Sequence, residues 1–200
     1  MRNGLFGTRG LKFLCLALIL ALNGCNPEKQ WQLQETTGHL PDLRFSLMSD
    51  TGQAVTDQTY QGHLVMLFFG FTNCQVECPT TLFRLTKIVR HLGDHANRTR
   101  ILLVTLDSGR DTQQALHRYV TAFDAGHVIG LAGIDSEIEN LAKRYRAAYR
   151  PKKPDSDDIV HSAAVYVFDT QGHARLLVTP DDTIETVAND LRHLLDSLRL

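Results

Sequence analysis

Net charge is almost absent from this chain: 21 Lys and Arg stand against 22 Asp and Glu, for a formal charge of −1. The basic stripe of a nucleic-acid binder is therefore missing, and no nucleic-acid partner is expected. Cysteine is scarce, and its four copies fall into two pairs, Cys15 with Cys25 and Cys74 with Cys78. No thiol is left in the body of the protein for a structural disulfide, which excludes a disulfide-stapled scaffold. There is no internal repeat and no second domain; 200 residues suit one domain with a good core plus some extra sequence.

An N-terminal apolar run, Phe13 to Leu22, is too short for a comfortable membrane span. It follows Arg2, Arg9 and Lys12, the pattern of an export signal, and ends in Leu22–Asn23–Gly24–Cys25, which resembles a bacterial lipobox. Residues 1–24 are expected to be a lipoprotein-type signal peptide and Cys25 the acylated residue of a lipid anchor. The domain would then work in the bacterial cell envelope, in the periplasm or otherwise outside the cytoplasmic membrane, where conditions are oxidising. Residues 25–40, polar and without clear period, read as a tether, and residues 41–200 as the folded domain.

What is present centres on Leu64–Thr81. Leu64 to Phe69 is a continuous apolar run, suited to a strand covered on both faces. Gly70 breaks it, Cys74 and Cys78 follow at C-x₃-C spacing, and Pro79 is expected to open a helix to about His91. Cys78, before a proline, is expected at the N-cap, where free N–H groups and the helix dipole would lower its pKa. Leu43, Phe45 and Leu47 alternate with polar residues ahead of a turn at Ser49–Gly52 and predict a leading hairpin. Arg100–Leu106 predicts a second buried strand, and Val128–Leu131 a third. Capping-box patterns at Asp111–Gln114 and Ser136–Glu139 predict helices to about Phe123 and Ala148. Ala163–Phe168 and Ala174–Val178 read as strands joined by a turn, and Asp182 as the cap of a last helix whose Ile184, Val187, Leu191, Leu194, Leu195 and Leu198 share a face. This order predicts an α/β, thioredoxin-like fold with an N-terminal β-hairpin and an extra helical insertion.

Two thiols at a strand-to-helix turn suit either dithiol redox chemistry or metal binding, and the spacing alone does not separate them. The peroxidatic P-x-x-x-T-x-x-C pattern is absent, since Phe71 and Gln75 stand three residues before the two cysteines. Among nine histidines, eight have no partner at ligand spacing; His91 and His95 are four apart, but Gly93 between them ends the helix.

Three ordered segments carry a resemblance. Phe68–Thr81 (F-F-G-F-T-N-C-Q-V-E-C-P-T-T) is similar to the Sco/SenC signature, close to F-G-[FY]-T-x-C-P-D-x-C-P-T. Asp107–Thr112 resembles that family's D-P-x-R-D-T, and Asp158–Ser162 its D-x-x-H-S/T. The resemblance runs from about Leu40 to the C-terminus. It implies a thioredoxin-like fold holding one copper ion per monomer, as Cu(I), Cu(II) or both, through Cys74, Cys78 and His161. Soft thiolates and imidazole are apt copper ligands, and structural zinc normally takes four protein ligands. The resemblance further implies a metallochaperone rather than a conventional enzyme, supplying copper or reducing equivalents to the copper subunit of cytochrome c oxidase or another envelope copper protein. A monomer is the default state. The alternative is a thiol–disulfide oxidoreductase using Cys74 and Cys78 as a redox pair. Asp107, Arg110 and Asp111 read first as turn and N-cap residues, with Asp107 and Arg110 as candidates for tuning the metal ligands. Two departures stand out: Gln75–Val76 replaces Pro-Asp between the cysteines, with Glu77 able to restore the charge in part, and Ser108 replaces the Pro of the second motif.

Overall fold

A computed structural model of the chain describes residues 31–150 and 159–197. The signal peptide, Cys25, the loop around Pro151 and Pro154, Asp158 and Leu198 lie outside the described residues. Among those described, no helix is long and apolar enough to cross a membrane.

Alternation of apolar side chains on a pleated backbone builds the molecule outward from one strand. Strand β4 (Leu64–Gly70) is buried at every position. Leu64, Met66 and Phe68 enter one core and Val65, Leu67 and Phe69 the other, as a period of two demands. Parallel partner β5 (Thr99–Thr105) divides the same way, with Ile101 and Leu103 on the first side and Leu102 and Val104 on the second. Each wholly buried Leu or Phe here contributes roughly 1.5–3 kcal/mol relative to exposure.

The remaining strands are β1 (Gln34–Glu35), β2 (Ser46–Ser49), β3 (Ala54–Thr56), β6 (Val128–Ala132), β9 (Val165–Phe168) and β10 (Ala174–Val178), ordered β1-β10-β9-β4-β5-β6-β2-β3 in one sheet. Only β4–β5 and β5–β6 are parallel. A separate antiparallel ribbon pairs β7 (Tyr149–Arg150) with β8 (Val160–His161). Helices α1 (Glu77–His91), α2 (Gln113–Asp124) and α4 (Ile184–Ser197) supply Leu82, Leu85, Leu116, Val120, Leu191 and Leu194 to the first core, and α3 (Asp135–Arg144) supplies Ile138 and Leu141 to the second. This is the expected thioredoxin-like arrangement, with the β2–β3 hairpin at one edge.

Four local expectations are corrected. The polar stretch up to residue 40 is not all tether: Leu33 is buried, β1 pairs with β10, and the buried Asp190 carboxylate accepts from the N–H groups of Gln32 and Leu33 at 2.8 and 2.9 Å. A two-residue edge strand is held by its backbone, so side-chain composition does not announce it. Helix α1 starts at Glu77, with Val76 as N-cap, so Pro79 lies inside the first turn. Proline is tolerated there because the first N–H groups of a helix have no internal partner.

Thr112, not Asp111, caps α2, its hydroxyl accepting from Ala115 N at 3.2 Å. Helix α3 stops at Arg144 rather than near Ala148. Arg146 adopts φ 54°, and Ala147 N–H bonds back to Ala142 O at 2.9 Å. That closure usually employs glycine, so the sequence carries no obvious stop signal. The last helix is likewise capped one residue late, by the Thr183 hydroxyl accepting from Thr186 N, while the Asp182 carboxylate bonds Thr179.

Candidate metal centre

The C-terminal end of β4 delivers the chain to the loop bearing the two cysteines. Cys74 N–H bonds Phe71 O at 3.3 Å, closing a tight turn after the strand. Because α1 begins at Glu77, Cys78 is not the N-cap: it lies in the first turn and is fully buried. Its backbone N–H donates to Cys74 Sγ at 3.3 Å. The sulfur of Cys74, not that of Cys78, therefore receives an N–H from the open end of the helix. Burial pushes the Cys78 thiol up, well above the usual cysteine range, with only partial relief from the Phe71 backbone N–H. The expected depression of the Cys78 pKa is thus reversed, since desolvation outweighs the helix terminus. The Cys74 thiol itself points to Glu77 Oε2 at 3.6 Å.

Gly70 makes this burial possible. A Cβ built there would lie 2.8 Å from Cys78 Sγ and 3.0 Å from Leu103 Cδ1. The glycine that breaks the apolar run in sequence is the floor beneath a ligand sulfur.

His161 arrives from far along the chain. Strand β8 pairs it with Tyr149 in β7, and the Ser162 N–H bonds Ala148 O at 2.9 Å. The early end of α3 turns the chain toward that ribbon. His161 Nδ1 lies 3.0 Å from Ser162 O, which makes it the protonated nitrogen and leaves the lone pair on Nε2. Nε2 stands 3.5 Å from Cys78 Sγ, and the ring packs edge-on to Phe71 at 5.7 Å. Ligand atoms of Cys74, Cys78 and His161 all lie within 4.8 Å of one another. Among the described residues, this is the group of three or more His, Cys, Asp or Glu placed to hold a metal ion. Two soft sulfurs and a correctly oriented imidazole fit a thiophilic ion such as copper.

Asp107 and Arg110 form an ion pair with each other at the end of β5. The contact from this segment to the cysteine loop runs instead through Asp111, whose carboxylate accepts from Thr72 and Thr105. Tyr119 on α2 was not singled out by sequence. Its hydroxyl is buried without a hydrogen-bond partner, and burial, then the fields of Cys78, Cys74 and Asp111, hold its proton far more tightly than usual. Helical periodicity marks Tyr119 only as core, so no local signal could have drawn it to the site. The other histidines are spread over separate contacts: His117 pairs with Asp50, His127 with Asp124, and His95 with Asp196.

The SCO1/SenC family model matches residues 34–196. The chain belongs to this family. An SCO2-like protein of Rickettsia conorii is 30% identical over 154 residues, which is 73% of this chain and 75% of that protein. The human mitochondrial SCO1 homolog is 31% identical over 133 residues, 64% of this chain; the chain spans only 44% of its length. Among solved Sco structures, ScoI of Bradyrhizobium japonicum with copper bound superposes with a TM-score of 0.68 at 32% identity, covering 78% of this chain and 99% of that one. The Sco neighbours share the thioredoxin-like fold.

Proposed function

We propose that this chain is a membrane-anchored copper metallochaperone of the bacterial cell envelope, in which Cys74, Cys78 and His161 hold one ion as cargo for the binuclear copper centre of cytochrome c oxidase. The observation that carries this reading is the convergence of two sulfurs and one imidazole nitrogen within 4.8 Å. Sco family proteins bind copper and are linked to cytochrome c oxidase assembly. The donor set supports a carrier: two thiolates give soft, strong ligation, and His161 Nε2 is a neutral donor able to serve either copper oxidation state. The replacement of Pro-Asp by Gln75–Val76 leaves all three donors in place. Anchoring through an acylated Cys25 is supported by the lipobox-like ending of the N-terminal apolar run.

A second reading, reduction of acceptor thiols by Cys74 and Cys78, is favoured by one contact. The Cys78 N–H to Cys74 Sγ bond keeps two free cysteines side by side across the helix start. Copper stoichiometry and affinity of the reduced chain, compared with His161→Ala, separate the two. A carrier is expected to bind one ion and to lose most of its affinity in the variant. Weak binding indifferent to His161, with a reversible Cys74–Cys78 disulfide, would replace the carrier by the reductase.

A further inference from the structure

Asp111 is a carboxylate only 3% exposed. The neighbouring Arg110 directs its guanidinium to Asp107, and Thr112 caps α2. Three donors converge on Asp111 instead: Thr72 N at 2.9 Å, Thr72 Oγ1 at 2.5 Å, and the hydroxyl of Thr105. Thr105 is the last residue of β5 and lies in register with Gly70 at the end of β4. The next residue closes the same junction, Leu106 N donating to Gly70 O at 2.7 Å. The carboxylate thus bridges two strand ends, and on one side it grips the loop that leads to Cys74.

The segment it grips touches every candidate ligand. Phe71, next to Thr72, accepts the Cys74 N–H through its carbonyl, offers its backbone N–H to the Cys78 sulfur, and packs its ring against His161. Gly70, one residue earlier, lies under Cys78 Sγ. A shift of Thr72 would therefore move the supports of all three donors together. Buried carboxylates need several hydrogen bonds to offset desolvation, and a fully satisfied one rigidifies what it holds.

We propose that Asp111 is a positioning residue of this site: it clamps Thr72 to the end of β5 and so sets the placement of the Cys74, Cys78 and His161 donor atoms. The clamp itself stands on the hydrogen bonds alone; only the identity of the ion rests on the copper reading above.

The test compares Thr72→Val, Asp111→Asn and their combination with the parent full chain, each checked for native circular dichroism. With Cu(II) added, both single variants are expected to shift the sulfur-to-copper charge-transfer absorption and to bind the ion roughly tenfold more weakly, the scale seen when the supports of metal ligands are removed. The double variant should do little more than Asp111→Asn alone, since both changes cut one contact. Without metal, the equilibrium of the Cys74–Cys78 disulfide with glutathione should shift in the same variants. A folded Asp111→Asn with the parent's spectrum and the parent's disulfide equilibrium overturns the proposal. Should Asp111→Asn fail to fold, Thr72→Val, which keeps its backbone N–H, decides by the same two readings. If the parent shows no copper band while the disulfide equilibrium still moves in the variants, the copper reading fails and the clamp stands.

Discussion

The two arms of the metal centre are built to different standards. The cysteine arm is contiguous, running from a wholly buried strand through a short turn into the first turn of a long helix, and it is tied to β5 through Thr72 and Asp111. The histidine arm hangs on a ribbon of two-residue strands, with one backbone bond from Ser162 to Ala148 and an edge contact to Phe71. A strand inside a sheet with both faces packed is held by many contacts at once, whereas a two-residue ribbon has little stability of its own. The difference teaches a division of labour. The thiol pair is a fixed chemical unit, and the imidazole is an added ligand whose contribution matters for the ion and little for the thiols.

Removing a sulfur should break the comparison most completely. Cys74→Ala or Cys78→Ala is expected to abolish one-to-one copper binding, read by titration of the reduced chain. In the parent, burial keeps the Cys78 proton in place, so loading must displace it and apparent affinity should rise with pH. Full retention of binding in both variants would remove the cysteine arm from the site.

Gly70→Ala tests whether the cysteine arm is as rigid as its packing implies. The added methyl would sit 2.8 Å from Cys78 Sγ and 3.0 Å from Leu103 Cδ1, so overpacking should cost about 1–3 kcal/mol in denaturant unfolding. Copper affinity is expected to fall with it. A variant as stable as the parent would show that the arm yields.

His161→Ala should divide the arms cleanly. Copper affinity drops, while the Cys74–Cys78 disulfide equilibrates with glutathione much as in the parent. A disulfide equilibrium displaced as far as in Asp111→Asn would mean that the histidine arm also organises the thiols. The smallest effect on the site is expected from Asp190→Ala. It leaves the N–H groups of Gln32 and Leu33 unpaired and should cost about 1–3 kcal/mol of stability. Copper binding should be unchanged, because the other buried aspartate described here serves the chain's entry into the fold and not the loop after β4.

Several features of the site were legible without coordinates. Leu64–Phe69 could only be a strand covered on both faces, and the cysteines could only follow it at a strand-to-helix turn. The hairpin, the β5 strand and the inward face of α1 followed from the same periodicities. The lapses cluster where a backbone conformation or a distant partner decided the outcome. The left-handed Arg146 ended α3 without a glycine, β1 joined the sheet without an apolar pattern, and Asp111, a plausible cap beside a plausible cap, turned toward Thr72 instead.

By itself, then, the sequence determined the alternation that splits β4 and β5 between two cores, the helical faces that cover them, and the two thiols at the junction, because these rest on neighbours a few residues apart. Tertiary structure alone decided that Cys78 is sealed and held protonated by burial, that Cys74 takes the helix N–H, and that Nε2 of His161 meets Cys78 across 83 residues of chain. The physical reason is that periodicity encodes which face of an element is apolar. The electrostatic fate of a thiol depends on what is packed around it, and that is known only once the chain has closed.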